Sequence, residues 1–161
     1  MARTVYGTTI SNSSLDTNIY NTITADGKTA TIPSFGTVSK KSAGIVKLMN
    51  MFLKLLYTEK GTNYTNPEEG TNYVQVYNYA PTSAGAVRSH VQLAVDDAAE
   101  QIMYNQSLYG VPTTEQLKKA YIESFSVTYD SAQRSVVNVA IQLEVVSGDT
   151  TAVQLPSTSP Y

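Results

Sequence analysis

Hydrophobic residues recur every three or four positions in two stretches of this chain, which is the spacing of one face of an α-helix. The first stretch covers residues 42–57, with Lys47 and Lys54 on its polar face. The second covers about residues 83–107, and its apolar stripe consists of Val87, Val91, Val95, Ala98 and Ile102. Each stretch therefore predicts an amphipathic helix packed on a core.

Hydrophobic and polar residues alternate one by one in the last third of the chain. This period of two predicts strands at residues 124–129, 137–145 and 151–155, with turns at 130–134 and 147–150. Because one side of the alternation is apolar, we expect an antiparallel sheet with one buried face.

A further helix signal stands just before the sheet. Thr113 is followed three residues later by Gln116, and Pro112 precedes both. This spacing fits a capping box, in which the two side chains bind free backbone N–H groups at the start of a helix. A short helix is therefore predicted at residues 113–121.

Two regions have no such period. Residues 58–71 combine glycines and a proline with Thr, Asn and Glu, which predicts a turn-rich loop. Residues 3–37 are rich in Thr, Ser and Asn, and Asp26-Gly27 is their one clear hairpin signal. We expect this polar segment to form an extended arm or a small β-element.

The order of these elements predicts an α+β fold, with two or three helices packed on a small antiparallel sheet and an extended polar N-terminal arm. The expected division is an arm or small β-element at 1–40, an α+β domain at 41–155, and a C-terminal tail at 156–161.

Composition narrows the classes of function. Among 161 residues there are 11 Lys and Arg, 13 Asp and Glu, one His and no Cys. The lack of Cys removes thiolate chemistry and cysteine metal sites, and a lone His90 removes multi-histidine sites. A net charge of −2 argues against a nucleic-acid partner, because binding phosphates needs clustered Lys and Arg. The most apolar stretch, 45–57, is interrupted by two lysines and an asparagine, so no membrane span is expected.

The surface implied by this composition is polar but weakly charged. Charged residues make up 15% of the chain, against about 25% in ordinary soluble domains, and there are 12 Tyr but 3 Phe. Such a surface suits a subunit whose faces are covered by other proteins, since Tyr is enriched and charge depleted at interface cores. Composition alone leaves open the alternative of a secreted β-rich domain with a neutral surface.

The sequence contains no recognisable catalytic pattern. Asp96 and Asp97 are adjacent on a predicted helix and point in different directions, so they are badly placed to flank one bond. Neither a phosphate-binding Gly-rich loop nor a Gly-x-Ser-x-Gly motif is present. We therefore predict a protein that is not an enzyme, with no catalytic residues, no metal-binding residues and no cofactor.

The segment from Lys41 to Val146 resembles a known family. An apolar helix ends in Lys60-Gly61, Pro67-Glu68-x-Gly70 follows, and a long amphipathic helix and an alternating hairpin complete the pattern. This arrangement resembles the small W-type baseplate wedge proteins of contractile phage tails, some of which carry a "lysozyme-like" label. The family usually has an aromatic residue where Glu69 stands and a Glu-Pro-Arg triplet where this chain has residues 104–120, so the contact made through that triplet is not carried over.

The resemblance implies a structural subunit of the virion, located in the tail baseplate and assembled in the cytoplasm of the host bacterium. Its implied role is to join the baseplate scaffold to the first sheath layer. The implied partners are other baseplate wedge proteins and the tail sheath protein, with tail tube or hub proteins as further candidates. Nucleic acid and membrane are not among them.

Partner contacts are expected in two places. In the loop they are Lys60, Gly61, Pro67, Glu68 and Gly70. In the sheet they are Val137, Val139, Ile141, Val153 and Leu155. The sheet ends in the strand 151–155, which offers an unpaired edge that a neighbour's strand can extend. Two alternative functions stay open. One is a head–tail or tail-tube adaptor. The other is a peptidoglycan-cleaving glycosidase, which is suggested by Glu59, Glu68 and Glu69 in one loop and by the label of the family.

Overall fold

The structure is a computed structural model that describes part of the chain. The backbone is described for residues 3–5, 8–10, 16–18, 20–25, 28–33, 40–76, 83–129 and 135–155. Side chains are described within 42–75, 83–128 and 137–155. The predicted C-terminal tail at 156–161 and the predicted turn at 130–134 lie outside the described residues.

The two predicted amphipathic helices are confirmed. Helix α1 covers Gly44–Tyr57, the single turn α2 covers Tyr73–Val76, and α3 covers Ala84–Tyr109. Ser83 caps α3, because its side chain accepts a hydrogen bond from the N–H of Ala86 at 3.2 Å. Within the described part of the chain, no helix combines the length and the apolar character needed to cross a bilayer.

The C-terminal strands form one antiparallel sheet in the order β7-β8-β9. Strand β7 covers Leu117–Tyr129, β8 covers Ser135–Val145, and β9 covers Thr150–Leu155. The strands predicted at 137–145 and 151–155 are therefore confirmed, as is the turn between them, where Gly148 has a φ of +96°. Together with the helices, this sheet confirms the predicted α+β fold.

The helix predicted at 113–121 is wrong. Residues 113–115 form a turn, in which the N–H groups of Glu115 and Gln116 both donate to the carbonyl of Pro112 at 2.9 Å. From Leu117 onward the chain is strand β7. Its register shifts near Leu117 and near Ile122. Because these bulges interrupt the alternation of apolar and polar residues, the sequence pattern did not indicate a strand before residue 124.

Gln106 explains why the chain becomes extended at this point. Its side-chain amide donates to the carbonyl of Glu115 and accepts from the N–H of Leu117, both at 2.8 Å. The amide therefore occupies backbone groups that a helix at 113–121 would need for its own hydrogen bonds. This tertiary contact overrides the local capping signal.

Short strands form the N-terminal part in three antiparallel pairs, β1 with β2, β3 with β6, and β4 with β5. Their bounds are Arg3–Val5, Thr8–Ile10, Asp16–Asn18, Tyr20–Ala25, Lys28–Pro33 and Lys40–Ser42 for β1 to β6. The predicted hairpin is confirmed by the pairing of Ala25 with Lys28, although its turn residues 26 and 27 lie outside the described residues. Strand β5 lies against β9, and β3 lies against α1.

The core lies between the helices and one face of the sheet. Helix α1 packs against α3 and β9, and α3 packs against β7. The largest fully buried side chains, which come from both long helices, the sheet and α2, are Tyr73, Phe52, Leu48, Leu53, Leu56, Ile102, Ile141, Leu143, Leu155, Val87, Val91 and Val95. Burial of this apolar area is the main term that stabilises the layered arrangement.

A buried ion pair ties α1 to the turn before β7. Lys47 Nζ lies 2.9 Å from Glu115 Oε2, and the two side chains are only 9% and 5% exposed. The other carboxylate oxygen accepts the N–H of Gly44 at 3.2 Å. Since Ala43 precedes α1 and has no side-chain acceptor, Glu115 caps this helix from a distant part of the chain.

Replacing Lys47 with Met should lower the free energy of unfolding by about 3–5 kcal/mol, because Glu115 then remains as a buried charge without its cation. Urea-induced unfolding measures the loss. The matched control is Lys118→Met, which removes the cation of the exposed Lys118–Glu144 pair and should cost less than about 1 kcal/mol. Equal losses in the two variants would contradict a structural role for the buried pair.

Candidate functional site: a loop fixed on helix α3

Residues 58–72 connect α1 to α2 and are called here the α1–α2 loop. The loop closes on itself at its base, where Glu59 and Thr71 form a parallel bridge. The N–H of Thr71 donates to the carbonyl of Thr58 at 2.8 Å, and the N–H of Lys60 donates to the carbonyl of Thr71 at 3.3 Å. The two ends of the loop are thus held side by side at the C-terminus of α1.

Gly70 lies in this base, where its backbone closely approaches Thr58 at the end of α1. Its φ is +104°, and a Cβ placed on it would lie 2.3 Å from the carbonyl oxygen of Thr58. Every other residue would therefore need both a left-handed backbone and a shift of the end of α1. The glycine that the sequence analysis placed in the site is required by this close approach.

Gln101 of α3 binds the backbone of Gly70. Its Oε1 accepts the N–H of Gly70 at 3.0 Å, and its Nε2 donates to the carbonyl of Gly70 at 2.7 Å. One turn earlier on the same helix, Asp97 Oδ2 lies 3.2 Å from Lys60 Nζ. Two side chains of α3 therefore dock the base of the loop, one by paired amide hydrogen bonds and one by a half-exposed ion pair.

The loop is also anchored in the core. The hydroxyl of Thr71 is buried, donates to the carbonyl of Leu56 at 2.8 Å and accepts the N–H of Tyr73 at 3.1 Å. Tyr73 is fully buried, and its ring meets the ring of Tyr57 edge to face with centroids 5.4 Å apart. Movement of the loop base would therefore disturb the packing of α1 and α2.

The tip of the loop, residues 61–68, is built from successive hydrogen-bonded turns. The N–H of Gly61 donates to the carbonyl of Pro67 at 2.8 Å, and this bond closes the tip. Asn63 Oδ1 accepts from both the N–H and the hydroxyl of Thr65, at 3.1 and 2.8 Å. The side-chain amide of Asn63 also donates to the carboxylate of Glu69.

Tyr64 on this tip is 96% exposed. No other large hydrophobic residue among the described side chains is as exposed. Pro67 and Glu68, which follow in the same tip, are also exposed. The arrangement presents one aromatic ring and one carboxylate to solvent on a backbone that the loop holds fixed.

The predicted loop residues are brought together, but most of them are structural. Lys60 binds Asp97, Gly61 donates to the carbonyl of Pro67, and Gly70 is held by Gln101. Sequence analysis missed Gln101 because nothing near it in the chain marks a contact with a residue 31 positions away. Tyr64 lies between Lys60 and Gly70 in the sequence. Sequence analysis did not single it out, because only the structure shows that it is exposed.

The predicted sheet residues are core residues. The side chains of Val137, Val139, Ile141, Val153 and Leu155 are all buried. Val139 and Ile141 lie on the middle strand β8, and each pairs with β7 on one side and with β9 on the other. These two residues can receive no further strand, so any strand addition must use the outer edge of β7 or β9.

Two of the three carboxylates that suggested a glycosidase, Glu59 and Glu69, have structural partners. Glu59 Oε1 accepts from the side-chain amide of Gln75 at 2.7 Å, and Glu69 accepts from Asn63. On α3, Asp96 accepts from Gln92 at 2.9 Å. Within the part of the chain that the structure describes, no group of three or more His, Asp or Glu side chains is placed to hold a metal ion.

Neither a protein-family model nor a characterised protein matches this amino-acid sequence.

The close approach at Gly70 predicts that Gly70→Ala lowers the free energy of unfolding by about 2–4 kcal/mol, from left-handed strain and from displacement of the Thr58 carbonyl. Gly61→Ala is the matched control, because Gly61 also has a positive φ but a Cβ there would meet nothing within 4 Å. This control should lose only about 1 kcal/mol. Urea unfolding of both variants measures the difference, and similar losses would show that the contact with Thr58 is unimportant.

Proposed function

We propose that this chain is a structural subunit of the baseplate of a contractile phage tail, a wedge component that joins the baseplate scaffold to the first sheath layer. In this proposal the chain belongs to the virion, is assembled in the cytoplasm of the host bacterium and is not an enzyme. Its partners are other wedge proteins and the tail sheath protein, with tube or hub proteins as further candidates.

The observation that carries the proposal is the construction of the α1–α2 loop. The residues from Lys60-Gly61 to Pro67-Glu68-x-Gly70, on which the resemblance to the wedge family depends, form one hydrogen-bonded unit docked on α3. Rigid loops that project polar and aromatic side chains suit protein recognition, because little conformational entropy is lost on binding. Such a loop supports a role in assembly.

The sheet offers a second kind of contact. Among the described strands none pairs with the outer side of β7 or of β9, but β5 lies against β9. The last part of β7, residues 124–129, follows the second bulge and contains no charged residue and no proline. Bulges, charges and proline are the devices by which edge strands avoid pairing. This part of β7 is therefore the edge at which a strand of the sheath protein would add.

Two of the three glutamates of the loop support the non-enzymatic part of the proposal. A catalytic carboxylate pair must face a shared cleft with both groups available to the substrate. Glu59 and Glu69 instead bind Gln75 and Asn63, and these hydrogen bonds hold the loop together.

Localising the chain in a cryo-electron density map of the intact particle tests the proposal. We expect the chain in the ring between the baseplate scaffold and the first sheath layer, with the outer edge of β7 toward the sheath. A position at the head–tail junction or along the tube would identify an adaptor, and absence from the particle would contradict the proposal entirely. Lysis of peptidoglycan by the purified chain, abolished by Glu68→Gln, would also contradict it.

A further inference from the structure

The tip of the α1–α2 loop carries a more specific inference, which rests on the proposed function. We infer that Tyr64 is the anchor of a docking site for a neighbouring protein of the particle. The ring enters an apolar pocket on that protein, and an Arg or Lys at the rim of the pocket faces Glu68.

Tyr64 is almost fully exposed. The residue has 96% relative exposure, so the folded chain uses it for little packing of its own. A partner can bury such an exposed aromatic side chain, and Tyr is among the residues that dominate binding energy at interface centres.

The rigidity of the loop also supports the docking site. The backbone on both sides of Tyr64 is held by Asn63, whose Oδ1 binds Thr65 and whose amide binds Glu69. The bond from Gly61 to Pro67 closes the tip, and Gln101 fixes the base. A side chain with only two rotatable bonds on such a backbone is already close to one bound position.

The charges of the loop determine the chemistry of the partner. Lys60 pairs with Asp97, while Glu59 and Glu69 accept hydrogen bonds from Gln75 and Asn63. Among the described residues, Glu68 is the loop carboxylate without an intrachain hydrogen bond or ion pair, and it is exposed. A cationic rim on the partner would complement this carboxylate and favour the correct orientation.

A single exposed aromatic ring fits a pocket better than a flat surface. An exposed tyrosine can also bind a carbohydrate, but that contact would lie outside the particle, on the surface of the host cell. A protein neighbour inside the particle is therefore the occupant that agrees with the proposed function, and the glycan becomes an outcome of the test.

Competitive assembly tests the inference. Wild-type and variant chains are supplied in equal amounts during particle assembly, and mass spectrometry measures the ratio of the two in purified particles. Tyr64→Ala should be incorporated about 30-fold less than the wild type, as expected for a hot-spot residue. Tyr64→Phe, the matched control that keeps the ring, should remain within about threefold, and Glu68→Lys should fall about tenfold because it faces a cationic rim.

Stability and position are measured in parallel. Because the ring of Tyr64 is exposed, all three variants should unfold at the urea concentration of the wild type, so a defect in folding does not explain the loss. Photo-cross-linking from a benzoylphenylalanine at position 64 in purified particles should give an adduct with another particle protein, at an apolar residue close to Arg or Lys in that protein's structure.

The outcomes separate the inference from the proposed function. If wild-type chains are absent from the particle, the proposed function fails. If they are present but Tyr64→Ala is incorporated equally and no adduct with another particle protein forms, the docking site fails alone. If variant particles assemble normally but lose attachment to host cells, the tip binds a surface glycan, and the inference of a protein pocket is overturned.

Discussion

The close contact between the peptide of Gly70 and the end of helix α1 constrains the whole candidate site. The carbonyl of Thr58 occupies the space that a Cβ at position 70 would need, and it also accepts the N–H of Thr71. On the opposite side, Gln101 binds both the N–H and the carbonyl of Gly70. Because α1 and α3 hold the base of the loop, the tip has a fixed orientation. An exposed tyrosine on such a tip is suited to recognition.

Helix α3 uses the same device twice. Gln101 binds the N–H and the carbonyl of Gly70, and Gln106 binds the carbonyl of Glu115 and the N–H of Leu117. In each case one side-chain amide supplies both a donor and an acceptor to a backbone that has left regular structure. The helix therefore has two tasks: its apolar stripe builds the core, and its glutamines fix the segments that connect helices and sheet. The ion pair between Lys47 and Glu115 adds the link to α1.

Sequence periodicity predicted the elements whose structure depends on their own apolar faces. Helices α1 and α3 and strands β8 and β9 all follow from periods of 3.6 and 2, because burial of one face determines both pattern and structure. Residues 113–121 were predicted wrongly, since the pattern of Thr113 and Gln116 is local whereas the contact from Gln106 is not. The same limit applies to the site: a loop could be recognised from its glycines and proline, but Gln101 could not. Val139 and Ile141 were expected at a partner contact together with the last strand, whereas the actual pairing puts them in the middle of the sheet.

A preformed recognition surface requires that the α1–α2 loop be rigid in the free protein. Backbone ¹⁵N relaxation measures this rigidity, because it reports an order parameter for each backbone N–H within residues 61–68. We expect values of about 0.8 or higher at Tyr64 and its neighbours, close to the roughly 0.85 typical of rigid backbone such as α3. Values below about 0.6 at the tip, with α3 still rigid, would show a flexible loop and therefore no preformed recognition surface.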